Sequence, residues 1–350
     1  MELSSTVSST ETLLPKALST LKKYLPNYFG ASVFPPTTTE SLTSLLDPIS
    51  RCNTSFKVTL IKGGITNSLL KVTHPEASKR ACLIRYYGPK TEHIINRDKE
   101  RALGIYLENF GIGKKVYTRF EGGQIEEWIW GRSIESNEMG DEQLMPFIAK
   151  KLAELHCLYI SPTIYVSHYH HINAPMPENL ETTSLLWETI WKYYTLCEDK
   201  IKEDHPRFKR LTLFNFDAIY QILMEIEDSA KALQSPISIC HCDLLSGNIV
   251  KLDEGGVEFI DFEYGMPAER AFDIANHFNE YAGFECHWKN FPSETQQRAF
   301  LECYAMNHRD KPSVEKLMKE THAFLPVSHC YWGLWSLVQA LYSDINFDFW

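Results

Sequence analysis

The sequence predicts an α+β protein with two lobes, a small lobe of mainly antiparallel β-strands and a larger, mainly helical lobe. Three observations support this prediction. Short apolar runs separated by glycine turns dominate residues 51–130, as in the strands of a sheet. Residues 131–350 instead carry apolar residues at helical spacing. Polar residues at fixed spacing within residues 239–264 add a candidate site to the larger lobe.

Residues 1–50 are expected to form an extension that precedes both lobes. The first twelve residues are rich in Ser and Thr, which is typical of disorder. Residues 13–28 carry apolar residues at helical spacing, interrupted by Pro15 and Pro26. This pattern predicts a short amphipathic helix, and a second short helix is expected around residues 41–46.

The small lobe begins with two strand-like runs, residues 56–61 and 68–72, joined by a turn that contains Gly63 and Gly64. Backbone N–H groups in such a turn can cover phosphates, although a Gly pair is more often only a turn. The turn is not a P-loop, because the pattern G-x-x-x-x-G-K-[ST] occurs nowhere in the chain.

A single cation, Arg85, lies in the next strand-like run, residues 81–88. Protein kinases carry a lysine in the corresponding strand, where it pairs with the α- and β-phosphates of ATP. An Arg can bind phosphate oxygens through two parallel hydrogen bonds. Glu100, on a helix predicted over residues 97–110, is the expected acidic partner of Arg85; the alternative is an exposed helix charge. A strand over residues 124–130 ends the lobe.

The larger lobe is predicted to contain helices over residues 141–157, 185–197 and 216–233. Between the first two, His168, His170 and His171 form a cluster near Ser-Pro and Ala-Pro dipeptides. A surface loop explains these three residues better than a metal site does.

The most informative pattern is a carboxylate, an amide five residues later and a second carboxylate: Asp243, Asn248 and Asp261. Phosphoryl transfer needs a residue that orients the hydroxyl nucleophile and ligands that hold magnesium. Asp243 suits the first task, and Asn248 and Asp261 suit the second, because magnesium prefers oxygen ligands. From His241 to Asn248 the chain matches the protein-kinase loop H-R-D-L-x-x-x-N at every fixed position except the Arg. The predicted fold is therefore protein-kinase-like.

Two apolar, β-rich runs, residues 249–252 and 257–260, separate Asn248 from Asp261. Between them, the pair Gly255 and Gly256 can adopt the positive φ that a tight hairpin needs. Such a hairpin would bring Asp261 back beside Asn248. One such carboxylate alone would more often be a solvated loop residue, but the joint spacing favours a shared metal site.

The segment from residue 239 to 283 resembles the choline/ethanolamine kinase family, through FEY at 262–264 and FDIANHFNE at 272–280. The segment SHCYWGLWSLVQ at 328–339 resembles the same family. The resemblance covers roughly residues 55–350, and these motifs are specific within the wider kinase-like group.

The resemblance implies that the protein uses ATP as co-substrate and Mg²⁺ as cofactor. The implied ATP-binding residues are Gly63, Gly64, Thr66, Asn67, Arg85, Glu100, Glu127 and Ile129. Adenine would bond to the backbone of Glu127 and Ile129. Glu263 is expected to hold a second metal ion beside the one at Asn248 and Asp261.

The substrate-binding residues that the resemblance implies are Asp243, Tyr264, Glu280, Trp332 and Trp335. A quaternary ammonium favours aromatic rings, through cation–π attraction, whereas a primary ammonium offers three donors that carboxylates accept. The chain offers both kinds of group. For the two Trp residues, the alternative is an ordinary buried helix face.

The segments HFNEYAG at 277–283 and INFDF at 345–349 resemble ethanolamine kinases more than choline kinases. The implied function is the ATP-dependent phosphorylation of the hydroxyl of ethanolamine to phosphoethanolamine, the first step of the CDP-ethanolamine route to phosphatidylethanolamine. A choline kinase, another small-alcohol or aminoglycoside-type phosphotransferase, and a non-catalytic binding module stay open as alternatives.

The chain departs from the family at three places. Cys242 stands where many members have Asn, and Leu245 where choline kinases often have Gln. The chain ends at Trp350, short of the family's usual final segment, whose Tyr helps to line the choline pocket. One polar substrate contact is therefore in question. The end at Trp350 is interpreted either as a truncation or as a shorter isoform, and whether full activity is kept stays open.

Composition limits the partners. The 350 residues carry a net charge of −10 and a pI of about 5.7, which argues against nucleic acid or an anionic membrane as partner. Nine Cys without a framework of spacings predict reduced thiols. The chain begins with no secretory pattern and has no apolar run long enough to span a bilayer. A cytoplasmic protein without membrane insertion is expected, and because members of the family often dimerise, a homodimer is expected too.

Overall fold

The structure is a computed structural model that describes residues 10–25, 28, 56–61, 67–74, 80–88, 95–180, 183–201, 206–343 and 347–350. The chain divides into two compact units. The smaller unit contains Met1–Pro89 and Lys114–Ile129, and the larger contains Lys90–Gly113 and Trp130–Trp350. This division differs from the predicted lobes of residues 51–130 and 131–350, because residues 90–113 group with the larger unit.

The smaller unit is built on one antiparallel sheet with the strand order β1-β2-β3-β5-β4. Its strands are β1 (Lys57–Ile61), β2 (Asn67–Thr73), β3 (Ala81–Tyr87), β4 (Val116–Phe120) and β5 (Gly123–Glu127). The central strand β3 is buried over its first five residues, as its apolar run predicts. Strand β4 was not predicted from the sequence, because its residues are all half-buried and show no clear alternation.

Helix α1 (Thr10–Tyr24) belongs to the smaller unit and is not a separate extension. Its apolar stripe, Ala17, Leu18 and Leu21, is buried and packs in one cluster with sheet residues such as Val72 and Ile84. The predicted amphipathic helix is therefore present, although it spans residues 10–24 and not 13–28. The second helix, expected around residues 41–46, lies outside the described residues.

The larger unit is mainly helical. Its helices are α2 (Arg97–Glu108), α3 (Met145–His156), α4 (Pro162–His171), α5 (Leu186–Ile201), α6 (Phe216–Lys231), α7 (Arg270–Asn279), α8 (Glu294–Asn307) and α9 (Val314–Tyr342). Helix α9 packs against α5, α6, α7 and α8. Among the described residues, no helix is both long enough and apolar enough to cross a bilayer.

Two small sheets of the larger unit flank residues 241–248 and 260–265, which contain the candidate site residues. Strand β7 (Ile237–Cys240) pairs with β10 (Met266–Glu269), and β6 (Gly131–Ser133), β8 (Ile249–Leu252) and β9 (Val257–Phe259) form a second sheet. The strand predicted over residues 124–130 was too long, because β5 ends at Glu127 and β6 belongs to the larger unit. Together the two units give the predicted α+β composition.

The histidine cluster was assigned wrongly to a loop. His168, His170 and His171 lie in the last turn of α4, which begins at Pro162. A Pro is well tolerated in the first helical turn, because its missing N–H would have no partner there. His168 Nε2 donates a hydrogen bond to the carboxylate of Glu188, with 2.8 Å between Nε2 and Oε1.

Candidate active site

The predicted hairpin is present and brings Asn248 and Asp261 to its open end. Ile249 on β8 lies opposite Phe259 on β9, and the N–H of Ile260 donates to the carbonyl of Asn248 over 3.0 Å. At the turn, Gly255 and Gly256 have φ values of 100° and 85°, a conformation that residues with a Cβ rarely adopt. The glycine pair therefore does what the sequence predicted.

Asn248 also binds Asp243 directly. Its Nδ2 donates to the Asp243 carbonyl over 2.8 Å and to Asp243 Oδ2 over 3.0 Å. Because Nδ2 makes both contacts, the side-chain amide of Asn248 is held in one orientation. Its Oδ1 takes part in neither contact and can act as an acceptor. An oriented carbonyl-type oxygen of this kind is suited to magnesium.

His241 supports the same loop through both ring nitrogens. Its Nε2 lies 2.9 Å from the Ile260 carbonyl, and its Nδ1 lies 3.3 Å from the backbone nitrogen of Asp243. A carbonyl only accepts and an N–H only donates, so Nε2 carries the proton and Nδ1 accepts. Burial lowers the pKa of His241, which favours this neutral form. His241 thus connects Asp243 to the hairpin end.

Asp273, on α7, holds the backbone of the loop. Its carboxylate accepts from the N–H of His241 and from the N–H of Cys242, each over 2.7 Å, and Oδ2 lies 3.1 Å from His156 Nε2. Although burial opposes its ionisation, the contacts with His156 and His241 leave the pKa of Asp273 below its ordinary value. Charge-assisted hydrogen bonds are roughly twice as strong as neutral ones. No role for Asp273 was predicted from the sequence.

Two site residues have left-handed backbone. Cys242 has φ of 67°, and Asp261 has φ of 68° with ψ of 58°. This region is unfavourable for residues other than Gly, Asn and Asp. The Asp273 contacts stabilise the first of these positions, and the second lies at the end of the hairpin, just before the turn of Phe262–Tyr264.

Four carboxylates share one electrostatic environment. The pKa of Asp243 is raised well above its ordinary value, first by burial and then by the nearby charges of Glu280, Asp261 and Glu263. Like charges disfavour ionisation of one another. Cations are therefore the ligands that this region would stabilise.

The residues expected to hold magnesium fit that ion by chemistry, since Asn248, Asp261 and Glu263 all offer oxygen atoms. Glu263 is buried, and its Oε2 lies 3.4 Å from Arg97 Nη1. Asp243, Asp261 and Glu263 do not form a tight triad. Within the part of the chain that the structure describes, a single set of three His, Cys, Asp or Glu residues has all its ligand atoms within 4.8 Å of one another, namely His156, Cys240 and Asp273.

That buried triad is a hydrogen-bonded network and not a second metal centre. Asp273 already serves three donors, and His156 Nδ1 lies 2.8 Å from the Tyr304 hydroxyl. Burial raises the pKa of the Cys240 thiol well above its ordinary value, so the thiolate that a metal requires is disfavoured.

The predicted substrate residues include a compact aromatic cluster on the larger unit. The ring centroids of Tyr264 and Trp332 are 5.2 Å apart, those of Trp332 and Trp335 are 5.3 Å apart, and those of Tyr264 and Trp335 are 6.2 Å apart. Both Trp side chains are half-buried. Glu280 follows the end of α7, and burial raises its pKa to about 7.

On the smaller unit, Arg85 has an acidic partner that sequence analysis missed. Its Nε lies 2.9 Å from Glu126 Oε1, and both side chains are buried. Lys114 also pairs with Glu126. The expected partner, Glu100, pairs with Arg97 over 2.7 Å, so the pairing of Arg85 with Glu100 stays a prediction. A buried Glu on a neighbouring strand gives no signal in sequence that separates it from an exposed one.

Of the other expected ATP-binding residues, Asn67 begins β2 and Ile129 lies two residues beyond β5. The N–H of Glu127 donates to the Lys115 carbonyl over 2.8 Å, so that group is already occupied by the protein. Gly63, Gly64 and Thr66 lie outside the described residues.

Comparison with known proteins shows the family of this chain. The profile described as choline/ethanolamine kinase matches residues 58–350. The chain belongs to the choline/ethanolamine kinase family. Ethanolamine kinase 2 of Rattus norvegicus is 33% identical over 298 residues, which are 82% of this chain and 71% of the relative. The predicted enzyme class, a kinase, is thereby confirmed.

Solved structures of family members and of more distant kinases share the fold. The Plasmodium vivax ethanolamine kinase superposes with a TM-score of 0.77 at 35% identity, covering 96% of this chain and 90% of that one. An ADP-bound aminoglycoside phosphotransferase gives a TM-score of 0.54 at 14% identity, covering 88% and 93%. The second likeness concerns the fold alone. The predicted α+β, protein-kinase-like fold is confirmed.

Proposed function

We propose that this kinase transfers the γ-phosphoryl group of ATP to the hydroxyl of ethanolamine, which yields phosphoethanolamine and ADP. The observation that carries the proposal is the geometry of the catalytic loop. Asn248 is hydrogen-bonded to Asp243, and the hairpin returns the chain so that Asp261 follows directly after the Ile260 contact with Asn248. The named relatives are ethanolamine kinases.

In this proposal Asp243 orients the hydroxyl of the substrate and accepts its proton as the new O–P bond forms. Asn248 and Asp261 would hold one magnesium ion, and Glu263 would hold a second. The pKa of Asp243 is raised first by burial and then by like-charge repulsion; when bound, magnesium would neutralise phosphate charge and offset that repulsion. The protein supplies position and electrostatic stabilisation, because phosphoryl transfer needs little covalent help.

The ATP contacts proposed for the smaller unit use Arg85 and the glycine turn. Arg85 is buried and forms an ion pair with Glu126, which would fix the orientation in which its guanidinium binds phosphate oxygens. The carbonyl of Glu127 and the backbone of Ile129 would bind adenine, since the Glu127 N–H is engaged with Lys115.

Ethanolamine is favoured over an uncharged alcohol because the larger unit offers acids and aromatic faces together. Glu280 would accept from the ammonium, and the cluster of Tyr264, Trp332 and Trp335 would attract the cation. Choline kinase activity is the second candidate, because the same aromatic cluster also suits a quaternary ammonium.

We further propose a cytoplasmic location and a homodimer, as the sequence and family resemblance led us to expect.

A substrate panel tests the proposal. We expect kcat/KM to be highest with ethanolamine, lower with choline, and negligible with an aminoglycoside, in assays that couple ADP release to NADH oxidation.

Asp243→Asn should lower kcat by roughly 10²–10⁴-fold, the usual contribution of a positioned general base, while nucleotide still binds. The matched control is Asp253→Asn, which changes an exposed carboxylate at the hairpin turn. Full activity of Asp243→Asn would remove Asp243 from the mechanism.

A further inference from the structure

Asn276 is a fully buried residue of α7 that holds the indole of Trp332. Its Oδ1 accepts from Trp332 Nε1 over 2.8 Å and from the Ser328 hydroxyl over 3.0 Å. Its Nδ2 is buried and finds no hydrogen-bond partner among the described residues. Such an unmade hydrogen bond costs about 1–3 kcal/mol. A residue kept at that cost for its oxygen atom is a candidate for a functional role.

The second indole of the aromatic cluster is held in the same way. Trp335 Nε1 donates to the Tyr264 hydroxyl over 3.0 Å. Tyr264 in turn packs edge-on against both indoles, with interplanar angles of 72° and 78°. Both indole N–H groups of the cluster therefore point at protein acceptors, and not at a ligand.

This arrangement matters for a cationic ligand. An ammonium ion carries only donors, so an indole N–H that faced it would repel it, whereas the face of an indole ring attracts it. Because Trp332 is half-buried, part of its surface is open to a ligand. The orientation of the indole decides whether that ligand meets a ring face or an N–H group.

We propose that Asn276 is a positioning residue that sets the affinity for the ammonium substrate by fixing the orientation of the Trp332 indole. The inference rests on the proposed function, because it takes the substrate to be a small alkylammonium ion. Asn276 acts through Trp332 and not on the reacting atoms, so the effect belongs in KM for that substrate and not in kcat.

The chemistry of position 276 is restrictive. Two donors, the Trp332 indole and the Ser328 hydroxyl, converge on one oxygen. Leu has nearly the same shape but no acceptor, so both donors would lose their partner. Asp has the acceptors but would bury a charge, which is costly without a cationic partner. Asn is the neutral residue of this size that accepts from both.

The first test is Asn276→Leu, assayed with ethanolamine and with ATP. We expect KM for ethanolamine to rise roughly 2- to 30-fold, the span that corresponds to one cation–π contact. We expect kcat and KM for ATP to stay within about 2-fold. Ser328→Ala is the matched control, because it removes the other donor to the same oxygen and leaves the Trp332 bond; its KM should equal that of the wild type.

A double mutant separates a positioning role from a general packing defect. In a Trp332→Phe background, which lacks the indole N–H, Asn276→Leu should leave KM for ethanolamine unchanged. Additive increases in KM would contradict the proposal. If Asn276→Leu does not fold, Asn276→Ala removes the same acceptor with less bulk and should give the same increase.

Calorimetric titration with ethanolamine distinguishes failure of this inference from failure of the proposed function. If the wild type binds and phosphorylates ethanolamine but Asn276→Leu has the same affinity, only the role of Asn276 is refuted. If the wild type neither binds nor phosphorylates ethanolamine, the proposed function is refuted and this inference falls with it. The near-ultraviolet circular dichroism spectrum of Asn276→Leu should also differ from that of the wild type. The spectrum of the double mutant should equal that of Trp332→Phe alone.

Discussion

Replacing Asp273 by Asn tests whether the catalytic loop is held by the two backbone hydrogen bonds to this side chain. The carboxylate places one oxygen on the N–H of Cys242 and the other on the N–H of His241. An amide of the same size has only one oxygen. In either orientation of the Asn side chain, one of the two backbone N–H groups would face an NH₂ group and lose its acceptor.

The magnitude follows from the burial of these groups. An unpaired buried N–H costs about 1–3 kcal/mol, so the free energy of unfolding should fall by that amount. The same amount opposes the catalytic conformation of the loop, in which Cys242 has φ of 67°, a conformation that itself costs roughly 1–2 kcal/mol. The loop would then populate other conformations, and kcat should fall by up to roughly 5- to 150-fold.

The assay is steady-state kinetics on Asp273→Asn beside urea denaturation. KM for ATP should change little, because Asp273 contacts no expected nucleotide ligand. Leu152→Ala is the control, since Leu152 is fully buried in the hydrophobic core and its truncation costs about 2–5 kcal/mol without affecting the loop's hydrogen bonds. A wild-type kcat for Asp273→Asn, or an equal loss of kcat in Leu152→Ala, would refute this reasoning.

Two further predictions concern charge. Burial raises the pKa of Glu280 to about 7, so its carboxylate is mostly ionised above that pH, and KM for ethanolamine should fall roughly 10-fold from pH 6 to pH 8. Glu280→Gln should abolish this pH dependence of KM. If the pH profile of KM is the same in Glu280→Gln as in the wild type, Glu280 does not cause the dependence. Arg270 and Glu320 form a buried ion pair with 3.1 Å between Nη2 and Oε2, so Glu320→Ala should cost about 3–5 kcal/mol in urea denaturation. Glu294→Ala, which breaks an exposed pair with Arg298, should cost less than about 1 kcal/mol, and equal losses would contradict the argument.

Much of the architecture was predictable where local signals were strong. The helix predicted over residues 216–233 is found as Phe216–Lys231, because apolar periodicity and the Asn215 cap act within one element. The hairpin followed from two adjacent glycines. Strand β4 was missed because its side chains are all half-buried, so neither alternation nor a continuous apolar run marks it.

The supporting residues of the site were less predictable. Asp273 is separated from the two amides that it holds by about thirty residues, and Asn276 from Trp332 by 56. A buried Asp or Asn has the same letter as an exposed one, and only tertiary packing decides its environment. Sequence identified the motif that contains both residues but could not say which side chain served which partner.

The backbone at residue 261 narrows the residues that this position can accept. Its left-handed conformation, with φ of 68°, admits Gly, Asn and Asp far more readily than other residues, and among these three Asp alone carries a negative charge. Glu, the other carboxylate, is disfavoured in this conformation by roughly 1–2 kcal/mol. An exchange of Asp for Glu that looks conservative on a substitution matrix therefore carries a backbone cost at this point of the chain.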